Sequence, residues 1–194
     1  GVSYHLVKND ERGMLDPDEV RNAIRDSSNH HYPKTALIAL ENTQNSCGGR
    51  VLSPEDTAVI ADVAHTNDVP LHIDGARIFN ASVKLETPVS ELVREVDSVT
   101  FCLSKGLSCP VGSVVCGSNE FIENARRVRK MVGGGMRQAG FLAAAGIVAL
   151  ESMVERLADD HANATKLANG LKKLPGITIT PEELETNLVF FEIE

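Results

Sequence analysis

Two short segments hold residues whose types and placing suit covalent chemistry. In Phe101-Cys-Leu-Ser-Lys105-Gly a lysine ends an apolar run, with serine before it and glycine after. A lysine buried in such a place loses hydration, which lowers its pKa and frees the amine to form a Schiff base. A surface lysine laying its stem on apolar neighbours gives the same local pattern. In His72-Ile-Asp74-Gly-Ala-Arg77 an acid leaves a strand-like run at its very end. A half-buried carboxylate there needs a partner. Arg77, or the first turn of a following helix, would satisfy it.

The pair says more than either member. Asp74 and Lys105 end consecutive apolar runs, so both can face one pocket. Pyridoxal phosphate needs this combination: an amine for its aldehyde, and an acid that keeps its pyridine nitrogen protonated. A third segment, Arg126-Arg-Val-Arg-Lys130-Met-Val-Gly133-Gly-Gly-Met-Arg137, sets three glycines between cations. Their N–H groups can form a nest for a phosphate beside Lys130 and Arg137, or the glycines can be a flexible joint. His31 sits with His30 in a polar loop, while His65 and His72 read as structural or surface residues.

The elements that must position these residues follow from the pattern. Asp16 caps a helix led by Pro17 and running to about Arg25; Ser53 caps one led by Pro54 and running to about Asn67. Val2 to Val7 is strand-like. Residues Thr35 to Leu40 and Leu71 to Asp74 predict buried strands, the first covered on both faces. Asp97 to Leu103 and Ser113 to Cys116 predict two adjacent strands. A short helix is expected over Val89 to Glu95 and a basic one over Asn119 to Met131. Gly133 to Gly135 predicts a break, and Gln138 to Leu174 one or two helices. Thr178-Ile and Leu188 to Ile193 predict strands of a later unit. Strands alternating with helices make this an α/β chain with a mainly parallel sheet, whose ligands gather at the carboxyl ends of the strands.

Composition narrows the class. The 194 residues carry 19 basic and 27 acidic side chains, a formal charge of −8, and no Trp. That balance argues against nucleic acid and against an anionic membrane surface. Ala139 to Leu150 is too short to span a bilayer. Cys47, Cys102, Cys109 and Cys116 show no metal-type spacing, so no metal ligand set is expected. Scattered thiols suit a reducing compartment, the cytoplasm, with the mitochondrion left open because a leader would precede Gly1. Both ends fall inside strand-like runs, as expected of the central part of a longer chain.

Five segments together resemble the low-specificity threonine aldolases: Leu40-Glu-Asn-Thr-Gln-Asn45, His72 to Asn80, Cys102 to Leu107, Pro110 to Ser113 and Arg129 to Gln138. Their order and spacing match the family's, and they cover most of the chain. The resemblance implies the aspartate-aminotransferase-like fold (fold type I of the pyridoxal-phosphate enzymes). Residues 1-150 would then form most of the large cofactor domain, and residues 151-194 a connecting helix and the start of a small C-terminal domain. It implies cleavage of L-threonine or L-allo-threonine to glycine and acetaldehyde in a homo-oligomer, a dimer or tetramer with shared sites. By the same resemblance Lys105 is the cofactor lysine, with Ser104 beside it as a cofactor contact, and Asp74 the acid at the pyridine nitrogen. Arg77 holds the substrate carboxylate, and Lys130 and Arg137 reach a cofactor phosphate, that of the neighbouring subunit. His31 lies near the substrate hydroxyl. Other expected site residues would precede Gly1 or follow Glu194, so the 194-residue segment alone is expected to be inactive. Two other readings stay open: a different lyase of the same fold that eliminates at the β-carbon, tryptophanase-like, and a truncated homologue without catalysis.

Overall fold

Local sequence alone explains the first two helices. In the computed structural model, which describes residues 2–194, Asp16 accepts from the N–H groups of Asp18 and Glu19 at the start of α1 (Pro17–Ala23). Strand β1 (Ile38–Glu41) follows. Ser53 and Asp56 then form a reciprocal capping box on α2 (Pro54–Thr66), which satisfies two N–H groups that a helix start leaves unpaired. Next come β2 (Leu71–Asp74), α3 (Ile78–Leu85), α4 (Val89–Leu92) and β3 (Ser98–Cys102). Strand β4 (Ser113–Gly117) leads to α5 (Asn119–Met131), α6 (Gly140–Ser152) and α7 (Leu157–Leu171). The chain closes on β5 (Ile177–Ile179) and β6 (Phe191–Ile193).

One four-stranded sheet organises the site, in the order β1-β2-β3-β4. The first three strands are parallel and β4 returns antiparallel on β3. The register pairs Ile38 with Leu71, Leu40 with Ile73 and Ile73 with Val99. Registered neighbours share a face, so these residues make one apolar face, buried together with Ile60 and Ala64 of α2. The same register pairs Glu41 with Asp74, and Asp74 with Thr100, on the opposite face. A second cluster joins Leu103, Leu107 and Cys109 to Ala149 and Leu157, with Phe79 and Phe101 packed between the two clusters.

Three expectations need correction. Strand β1 is not covered on both faces: Ala39 is exposed while Ile38 and Leu40 are buried, because the core shared with Ile60 and Ala64 of α2 lies on the side of Ile38 and Leu40. Val2 to Val7 forms no strand; Val2, Tyr4 and Leu6 are over four-fifths exposed, and extended backbone without a paired neighbour leaves its hydrogen bonds to water. The closing strand shrinks to Phe191–Ile193, where β5 provides partners. The helix following Asp74, to which the sequence assigns no bounds, is α3; burial of Ile78 and Ala81, a tertiary effect, defines it. By contrast α5 has the bounds read from the sequence, and α6 and α7 are the two consecutive helices of the second alternative.

The Glu-Asn-Thr segment shows how a motif residue can serve the fold. Asn42 is fully buried; its Nδ2 donates to the carbonyl of Leu52 at 2.9 Å, and its Oδ1 accepts from the Leu52 N–H at 3.2 Å. Asn42→Leu should strand both buried peptide groups, at a cost of roughly 2–4 kcal/mol. The expected fall in the thermal midpoint is about 5–10 °C. An unchanged midpoint would show that the loop re-pairs elsewhere.

Candidate active site

The carboxyl ends of β1, β2 and β3 form the edge where the sequence directs attention. Asp74 stands at the tip of β2, on the polar face. Among the described residues its Oδ1 accepts only the N–H of Ala76, at 3.1 Å. Neither local partner is used: Arg77 points its Nη1 at Asn45 Oδ1, 3.1 Å away, and α3 starts without a side-chain cap. Two residues before Asp74, His72 bonds Ser98 Oγ at 2.9 Å. Burial pushes the His72 imidazole below its usual range, against the opposing pull of Asp74. A neutral ring leaves the carboxylate without a cation.

Lys105 sits in the tight turn after β3. Leu103 N–H donates to Gly112 O at 2.9 Å, Ser108 N–H to Lys105 O at 2.8 Å, and Cys109 N–H to Leu103 O at 3.0 Å. Leu103 and Leu107 are buried toward the helices, which leaves Ser104 and Lys105 exposed. The burial expected of Lys105 is therefore not found: the core lies on the side of Leu103 and Leu107, and Lys105 points away from it. Among the described residues, none of Asp74, Arg77 and Lys105 belongs to an ion pair.

The glycine triplet is corrected in its role. Gly133 takes φ +87°, and its N–H donates to Lys130 O at 3.3 Å, while Gly134 N–H donates to Arg129 O at 2.8 Å. Two of the three N–H groups thus close the last turn of α5, a left-handed C-terminal cap, instead of forming an anion nest. Lys130 folds over Gly135, and Arg137 is exposed on the segment before α6. His31 is exposed in the loop before β1, its backbone N–H on Asn29 Oδ1 at 3.0 Å; it makes no side-chain hydrogen bond among the described residues. Asn45 had no assigned role in the sequence, although it closes the Leu40-to-Asn45 segment. It is the residue that orients Arg77.

An acid, an arginine and a lysine, none of them ion-paired, at the carboxyl edge of a mainly parallel sheet mark an α/β protein built to hold a ligand at its strand ends. The family model described as beta-eliminating lyase matches residues 1–194, and the chain belongs to that family. It is 50% identical over its whole length to low-specificity L-threonine aldolase 1 of Arabidopsis thaliana, covering 54% of that protein. It is 42% identical over 93% of its length to low specificity L-threonine aldolase of Escherichia coli (strain K12), covering 52% of it. The chain spans about half the length of these relatives. The solved Leishmania major threonine aldolase has the same fold, with a TM-score of 0.75 at 16% identity, over 95% of this chain and 54% of that one. The α/β architecture with a mainly parallel sheet, implied by the sequence, is thereby shown.

Proposed function

We propose that this chain carries the lysine side of the active site of a pyridoxal-phosphate-dependent threonine aldolase, cleaving L-threonine or L-allo-threonine to glycine and acetaldehyde. The observation that carries the proposal is Asp74, whose carboxylate turns away from both local partners. The donor set fits the cofactor. A pyridine N–H needs an acceptor with an oxygen to spare, which Asp74 Oδ2 offers. An aldehyde needs an unengaged amine, Lys105, and a phosphate needs cations without partners, Lys130 and Arg137. When bound, the cofactor supplies a sink for the electrons released as the Cα–Cβ bond breaks.

The chain's own residues then divide the work. Lys105 holds the cofactor, with Ser104 beside it, and Asp74 keeps the ring nitrogen protonated. Arg77, already oriented by Asn45, offers its planar fork to the substrate carboxylate. His31 takes the β-hydroxyl proton, directly or through a water. Lys130 and Arg137 reach the phosphate of a neighbouring subunit. A homo-oligomer is supported by α6, where Phe141, Ile147 and Val148 are more than half exposed, because an apolar helix in water calls for a cover. Residues 151-194 begin a smaller domain. The four unpaired thiols support a reducing compartment, the cytoplasm. Among the described residues no helix is long and apolar enough to cross a membrane.

The test is product analysis with the full-length protein, added cofactor and L-threonine. Glycine and acetaldehyde in equal amounts are expected. Elimination products in place of acetaldehyde would assign a different lyase of the family, and absence of cofactor binding would sink the proposal. Arg77→Lys should keep the charge and lose the fork, lowering kcat/KM roughly 10- to 100-fold, mostly through KM. An unchanged KM would remove Arg77 from the carboxylate.

A further inference from the structure

We infer that Asn80 and His161 are positioning residues for Lys105, a polar clasp that fixes the turn bearing the amine. The inference rests on the reading of Lys105 as the cofactor lysine. Asn80, on α3, is only 3% exposed, and an amide buried that deeply needs partners. Its Nδ2 lies 3.0 Å from Nε2 of His161 on α7. Among the described residues this is the one side-chain hydrogen bond that joins α3 to α7.

The other side of the amide faces the lysine turn. A Cβ placed on Gly106 would lie 3.7 Å from Asn80 Oδ1, 3.6 Å from Asp160 Oδ2 and 2.5 Å from Leu157 Cδ2. Leu157 is 1% exposed and is held in the second core cluster. The residue after Lys105 therefore rests on the seam between α3 and α7, as close as a glycine allows. Helix α3 also begins directly after the turn carrying Asp74 and Arg77. Tying α3 to α7 under Gly106 thus fixes the separation between the acid of one turn and the amine of the next. Burial holds the His161 imidazole below its usual range, with Lys84 acting in the same direction and Asp160 against it. A neutral ring keeps Nε2 able to accept the Asn80 N–H.

The test uses the full-length holoenzyme and three readouts: cofactor Kd, the pH titration of the lysine-bound cofactor absorbance, and the thermal midpoint. Asn80→Ala and His161→Leu are expected to weaken cofactor binding about fivefold, the effect of one lost hydrogen bond, and to move the titration midpoint. His161→Gln, whose amide oxygen can accept from Asn80, should restore both toward wild type. Gly106→Ala, whose methyl would crowd Leu157 at 2.5 Å while meeting Asn80 Oδ1 at ordinary contact distance, 3.7 Å, should reproduce the weakened binding even if Asn80→Ala fails to fold. If His161→Leu lowers only the thermal midpoint, or if Gly106→Ala binds and titrates as wild type, the pair is structural and the inference fails. Lys105→Ala in the same assay separates the two levels. If the absorbance band survives in that variant, the cofactor assignment has failed. If the band is lost there while the clasp variants are silent, only the clasp has failed.

Discussion

Full-length protein carrying Lys105→Ala should lose the lysine-bound cofactor absorbance and cleave threonine on the order of a thousandfold more slowly, as for loss of a covalent catalyst. The amine has no structural duty that would confuse the result. Lys105 is exposed and belongs to no ion pair among the described residues, whereas the turn is held by backbone hydrogen bonds and by the buried Leu103 and Leu107. Removing an exposed side chain of this kind changes stability by about 0.5 kcal/mol or less. The thermal midpoint of the cofactor-free variant should therefore match that of cofactor-free wild type. A lost band with an intact fold assigns the covalent role; a retained band in a folded variant removes it.

What the sequence disclosed divides along physical lines. Asp16 and Ser53 cap helices through their immediate neighbours, so those starts were legible. The bounds of α5 were legible too, because Ser118 caps it at one end and Gly133 at the other. Asp74 and Lys105 stood out because strand tips in a parallel sheet are where apolar runs meet polar residues. Interactions made over long sequence separations were not legible. Arg77 reaches Asn45 and Asn80 reaches His161 only after the register and the helix packing have set their distance. The exposure of Lys105 was misjudged for a related reason. An apolar run before a lysine reports which side chains point to the core, and Leu103 does. It says nothing of what covers the other face. The glycine triplet misled because glycine suits an anion nest and a helix C-cap equally well, and only the destination of each N–H decides between them.

Asp74→Asn should be the second severe variant, with turnover down roughly 100- to 1,000-fold, the range for removing one preorganised electrostatic contact from a reacting centre. The replacement keeps the shape and can still accept the Ala76 N–H, so the geometry of the turn is retained and only the charge goes. Without a carboxylate the pyridine nitrogen is no longer held protonated, and the electrons from the broken carbon–carbon bond have a poorer sink. Asp74→Glu, which keeps the charge but displaces it, should fall between Asn and wild type. Near-wild-type turnover in Asp74→Asn would reject the role. An ion pair would have clouded this test, because deleting one member strands the other. Arg77 binds Asn45 and not Asp74, and His72 bonds Ser98. No cation is orphaned when the carboxylate goes, so a loss of turnover in the Asn variant reports the missing charge itself.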